Sequence, residues 1–142
     1  MKNLRYGVLI LGVLLMANAA KAQQTNVKAF VPFDFVVGNR AYSAGEYLLK
    51  SSRVSDSIIQ IDNLRAQETT IVDVMTNACT NLLPSTETKL VFHRRGGEYF
   101  LSQVWIAGNG SGREFPRSQT ERKLAQNHEN AELVTVAANR SH

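Results

Sequence analysis

The stretch VKAFVPFDFVV, residues 27–37, alternates with period two. Val27, Ala29, Val31, Phe33, Phe35 and Val37 fall on one side, and Lys28, Pro32 and Asp34 on the other. A helix would scatter these apolar residues around its axis, whereas a strand gathers them on one face, so the segment belongs in a sheet with one covered side. Pro32 has no N–H to give to a ladder, which predicts a sheet edge or a bulge here. Gly38-Asn39 and Ser43-Ala44-Gly45-Glu46 supply the turn chemistry that follows.

Similar short runs, β-branched at 57–62 and 69–78, recur at residues 47–50, 57–62, 69–78, 89–95, 98–106 and 133–137, separated by polar or glycine-rich connections. The pattern predicts an all-β fold: a single antiparallel β-sandwich or barrel of about seven strands, with one short helix near the C-terminus. The helix is expected after Ser118-Gln119-Thr120-Glu121. There the serine caps free N–H groups and the glutamate reaches back, as in a capping box. Gly108-Asn109-Gly110-Ser111-Gly112 reads as a loop without phosphate-binding spacing.

Within HRRGGEYFLSQVW, residues 93–105, Gly96-Gly97 suit a two-residue hairpin turn. Such a turn sets Arg95 opposite Glu98, Arg94 opposite Tyr99, His93 opposite Phe100 and Phe92 opposite Leu101. Strict alternation then places Leu90, Phe92, Tyr99, Leu101 and Trp105 in the core. Lys89, His93, Arg95, Glu98 and Ser102 fall on the wetter face. No carboxylate is visibly placed to orient His93 as a triad requires, and Arg95 faces Glu98, so His93 is expected to be solvated.

The chain opens with Lys2 and Arg5, an apolar run from about Gly7 to Met16, and small residues up to Ala22. This is signal-peptide layout, predicting residues 1–22 as the signal, residues 23–142 as a single β-domain, and an extracytoplasmic location. The apolar run falls short of the ~20 residues that span a bilayer, and most strands are shorter than the ~9–11 residues of a transmembrane barrel. No stable membrane insertion is expected after cleavage. Lys2, Arg5 and Lys21 account for three of the 16 basic residues and none of the 12 acidic ones, so the mature chain is close to neutral. Arg94-Arg95 and Arg122-Lys123 are isolated pairs, not the basic stripe that nucleic acid requires.

Catalytic signatures are equally sparse. Cys79 is the only cysteine, which precludes an internal disulfide, and a lone cysteine is ordinarily a small buried apolar residue. His93, His128 and His142 are too dispersed to form a recognisable zinc motif. Asp34 and Glu46 are the one carboxylate pair worth weighing, and both sit beside turns where solvated acids are ordinary. No catalytic, cofactor-binding or metal site is expected. The candidate interaction surface is Arg113, Glu114, Phe115 and Arg117, charges set around one aromatic between the glycine-rich loop and the helix.

Taken together, VPFDFVVGNRAYSAGEY, HRRGGEYFLSQVW and GREFPRSQTERKLA resemble a family of small exported acidobacterial-type all-β proteins. The resemblance covers most of the mature chain; it implies a shared all-β fold and export, and carries over no functional residues. The expected function is that of an exported non-catalytic β-domain, binding an envelope or extracellular protein or contributing structure there. The alternative is a small β-barrel carrier of an apolar ligand, with Phe30, Phe33, Phe35, Phe92, Phe100 and Trp105 supplying its lining. An apolar cavity of ~300 Å³ or more would favour the carrier.

Overall fold

The computed structural model describes residues 25–52, 55, 57–80, 84–127 and 130–141, with the backbone alone for 76–80. The expected signal peptide, His128, His142 and the side chain of Cys79 lie outside the described residues. Among the described residues the fold is all-β with one short helix, as expected, and its curled sheet forms a half-barrel. The strands among the described residues number eleven, because two expected strands are each divided and two short ones are added.

The first division falls at Pro32. Strand β1 (Asn26–Val31) pairs with β4 (Gly45–Ser51) as far as Val31 opposite Gly45, and the chain then turns into β2 (Phe35–Val37). Contrary to expectation, β1 is not an edge: it lies between β4 and β11 (Glu132–Ser141). Proline is tolerated because it stands just past the last ladder pair, where no donor is called for. The alternation itself holds, with Val27, Ala29, Val31, Phe35 and Val37 buried and Phe33 packed against them. Gly38-Asn39 then turns the chain into the short β3 (Arg40–Tyr42).

The second division falls at Val74. β5 (Ile58–Asn63) and β6 (Glu68–Asp73) continue the sheet beyond β4, and β7 (Met75–Thr80) pairs instead with β10 (Ser111–Glu114). Val74 is buried at the corner and its N–H donates to the Ser57 carbonyl at 2.6 Å. One run of sequence thus serves both ends of the sheet, whose order is β3-β2-β9-β8-β11-β1-β4-β5-β6, with β10 joined to β9.

The hairpin of β8 (Lys89–Arg95) and β9 (Glu98–Trp105) has the expected register from Arg95–Glu98 to Phe92–Leu101. Gly96 and Gly97 both take positive φ, 56° and 79°, as a tight turn matched to strand twist requires. The register then shifts: Val91 faces Gln103 and Ser102 is the extra residue of a β-bulge. Beyond it the faces exchange. Val104 joins Leu90 in the core, while Trp105 stands opposite Lys89 on the other side of the sheet. Ser102, expected on the wetter face, is buried.

Trp105 is nevertheless buried, because its indole lies against Gly112 of β10. A Cβ at Gly112 would stand 2.8 Å from Trp105 Cε2 and 3.0 Å from Cδ2, the body of a ring that cannot fold aside. Gly112→Ala is therefore expected to destabilise by ~1–3 kcal/mol, the usual cost of overpacking, as read from urea unfolding midpoints.

On the outer face, Lys50 Nζ lies 2.6 Å from Asp62 Oδ2, and Gln60 Nε2 and Thr69 Oγ1 donate to Oδ1 at 2.8 and 2.9 Å. Burial works against the Asp62 charge, but the hydrogen bonds from Lys50, Gln60 and Thr69 outweigh it and hold its pKa below the usual carboxylate value. A carboxyl with a depressed folded pKa stabilises the fold above its unfolded pKa, and loses that contribution as pH falls through the folded one. Asp62→Asn should accordingly cost up to about 1 kcal/mol at pH 7. The gap to wild type should close as unfolding is repeated below about pH 4.

Candidate functional site

The site best defined by geometry is a half-open cleft of about 310 Å³ between the β2–β3 hairpin and the β8–β9 turn. β2 reaches β9 through a parallel bridge, Val36 with Phe100, the one departure from antiparallel pairing in the sheet as described. Asp34 and Glu98 each stand two residues before that bridged pair, so the parallel direction carries both carboxylates to the same cleft. Phe35, Tyr42 and Tyr99 supply aromatic walls.

Those rings belong to a larger aromatic cluster. Phe33 stacks on Tyr99 with centroids 3.8 Å apart, Phe35 stacks on Tyr42 at 5.2 Å, and both phenylalanines meet Phe92 edge-on. Tyr47, fully buried beneath, donates its hydroxyl to the Ser43 carbonyl at 2.6 Å and accepts from Asn63 Nδ2. Burial pushes its pKa above the usual tyrosine value, helped by Tyr42 and by the charges of Asp34 and Glu68, so it stays protonated at neutral pH. The Tyr42 hydroxyl is buried with no hydrogen-bond partner among the described residues.

Asp34 Oδ1 accepts the Ala44 N–H at 2.8 Å, which ties the base of the β2–β3 hairpin and leaves the second oxygen for other partners. Five ion pairs form among the described residues, and neither Asp34 nor Glu98 belongs to any of them. Arg95 stands opposite Glu98 in register, but the expected cross-strand ion pair is not formed. Guanidinium groups lie outside the cleft: Arg40 is 5.8 Å from the Tyr42 centroid and paired with Glu68, and Arg94 is 5.6 Å from the Tyr99 centroid and paired with Glu132. Glu46, weighed with Asp34 in the sequence, is instead bound to Lys28 at 3.1 Å.

A second arrangement corrects the reading of His93. Helix α1 (Gln119–Gln126) places Glu121, 3% exposed, so that Oε1 lies 2.9 Å from His93 Nδ1. The imidazole is mostly buried rather than solvated. Ser118 caps the helix as expected, accepting from the Glu121 N–H at 2.9 Å. The Glu121 side chain does not reach back to complete a capping box, because the carboxylate is committed to His93. Asn39 Oδ1 accepts the Gln119 N–H and ties the helix start to the β2–β3 turn. The pair ties α1 to β8.

The four residues of the candidate interaction surface differ in exposure. Phe115 is 2% exposed, belongs to the core, and donates its N–H to the Ser102 carbonyl at the bulge. Arg113 and Glu114 are half-buried in β10, with Arg113 Nη1 donating to Ser51 Oγ at 2.6 Å, and Arg117 is exposed. Phe115 thus packs onto the sheet, while Arg117 stays at the surface. Among the described residues no three of His, Cys, Asp and Glu gather closely enough to hold a metal ion. No family model, curated protein or solved structure matches this chain.

Proposed function

We propose that the chain is an exported, non-catalytic β-domain that acts by binding, and that the cleft between the β2–β3 hairpin and the β8–β9 turn is where it binds. The observation that carries this reading is a concave site in which two carboxylates outside any described ion pair meet three aromatic side chains. Convergent polar groups on an apolar wall are the usual composition of a ligand site. The non-catalytic part is supported by the His93–Glu121 pair, which is spent on holding α1.

The apolar-carrier alternative is less well supported. The concave side of the sheet is filled by side chains such as Tyr47, Ile59, Ile61, Leu90 and Phe92, and the cleft is acidic as well as aromatic. Export, the envelope or extracellular location of a partner, and kinship with small exported all-β proteins rest on the N-terminal pattern and the motifs quoted above.

The binding reading is tested by recording amide chemical shifts of the mature protein against mixtures of small soluble metabolite-like compounds. Saturable shifts should cluster on residues 34–36, 41–43 and 97–99. Saturable shifts clustering elsewhere, or none at all, would reject the cleft as the site.

A further inference from the structure

We infer that Asn109 is a modification site: its side-chain amide is lost to attack by the backbone nitrogen of Gly110, and aspartate or isoaspartate takes its place. The inference is independent of the cleft. Asparagine is one of the chemically labile side chains, and Asn109-Gly110 is the only Asn-Gly pair in the chain. Glycine lacks the Cβ that would crowd the approach of its own nitrogen. The fold leaves both reacting groups available. Asn109 is exposed, and among the described residues neither its carboxamide nor the Gly110 N–H is hydrogen-bonded. Ladder pairing of β10 begins only at Ser111, opposite Thr80. Other asparagines are engaged or crowded: Asn39 Oδ1 accepts the Gln119 N–H, Asn63 Oδ1 accepts from the Arg65 and Ala66 N–H groups, and the exposed Asn139 precedes Arg140 within a strand.

In the reaction the Gly110 nitrogen gives up its proton to solvent base and bonds to Asn109 Cγ, the Cγ–Nδ2 bond breaks, and ammonia leaves. The product is a cyclic imide that includes the Asn109 main-chain carbonyl carbon. Water then opens the ring on either side. Addition at Cγ restores the ordinary chain with aspartate at 109, and addition at the main-chain carbonyl reroutes the chain through Cβ and Cγ as isoaspartate. The rerouted product has a structural consequence here. Two backbone bonds clasp this turn to the segment before β8, Gly108 N–H to the Ser85 carbonyl at 2.8 Å and Ser85 N–H to the Asn109 carbonyl at 2.9 Å. Rerouting makes that Asn109 carbonyl a free carboxylate and lengthens the chain by a methylene. Downstream, Gly112 is held against the Trp105 ring, so the added length falls on the clasp and loosens it.

The test holds the folded mature protein in mildly alkaline buffer for weeks and follows tryptic digests by mass spectrometry. Asn109 is the only asparagine of the tryptic peptide 96–113. That peptide should gain the mass of replacing –NH₂ by –OH and divide into two acidic isomers, one of which accepts methyl groups from an isoaspartyl methyltransferase. Gly110 does not take positive φ, so alanine fits its backbone. Gly110→Ala should slow the conversion by about tenfold or more, because the added methyl crowds the attacking nitrogen, with the urea midpoint unchanged. In the separated isoaspartyl protein the Ser85 and Gly108 amides should exchange with deuterium faster than in fresh protein, and in the aspartyl form they should not. Conversion at 109 no faster than at the exposed Asn139, or equally fast in Gly110→Ala, overturns the inference. Unchanged exchange in the isoaspartyl protein would overturn the loosening of the clasp.

Discussion

Phe92→Ala is expected to remove about 3–5 kcal/mol of stability, the range for truncating a buried aromatic. The side chain is 0% exposed, and its strand β8 lies between β9 and β11 in the body of the sheet. Leu101 and Val134 stand opposite it on the two flanking strands, while Phe33 and Phe35 contact its ring edge-on at 5.1 and 5.5 Å. No neighbour can collapse far into the space, since each is held by its own strand or stack. Against a typical total of about 5–15 kcal/mol, the loss should bring the urea midpoint down sharply with little change in the slope. A cost below about 1 kcal/mol would mean that the aromatic cluster is not packed as described. Phe33 and Phe35 lead directly into the cleft walls, so the variant should also loosen Tyr42 and Tyr99.

His93→Ala is expected to cost about 3 kcal/mol, the order of leaving a buried carboxylate without its hydrogen-bond partner. The sequence alone predicts almost nothing, because alternation puts His93 on a wetter face. In the folded protein the deletion leaves the Glu121 carboxylate inside, 3% exposed, without the Nδ1–H that satisfies it. Nδ1–H can donate in the neutral tautomer as well as in the imidazolium, so the expectation does not depend on the charge of the ring. The double variant His93→Ala/Glu121→Ala should be destabilised by less than the sum of the two singles, since it removes the stranded charge as well. Strict additivity in that cycle would show that the two side chains act independently and that α1 is held by other contacts.

These two residues mark the limits of what local patterns convey. Phe92 is legible as core from the period of LVF in β8 and from the glycine pair that sets the hairpin register. His93, one residue on, is not, because its partner lies 28 positions away on a helix whose landing place no local pattern specifies. The cleft was only partly visible. Asp34 stood out as an acid beside a turn and Glu98 as a hairpin residue, but their convergence depends on a single parallel bridge between β2 and β9. Phe115 is a different case. Its flanking charges and proline leave both a surface and a packed placement open, and the fold puts it in the interior beside the bulge of β9.

The sequence by itself determined the strand class, the inward face of residues 27–37, the Gly96-Gly97 turn with its first four cross-strand pairs, and the Ser118 cap. All of these are carried by residues close together in the chain, where side-chain period and backbone φ preference act without reference to anything distant. Only the tertiary structure decided that β1 would be central, that Ser102 would bulge and send Trp105 to the other face, and that Glu121 would meet His93. The same holds for the meeting of Asp34 with Glu98 in one cleft. Each of these is a choice among long-range pairings, and a one-residue change of register exchanges the faces of every side chain beyond it. That choice is settled by the packing of the whole sheet, where buried volume and polar satisfaction are decided together.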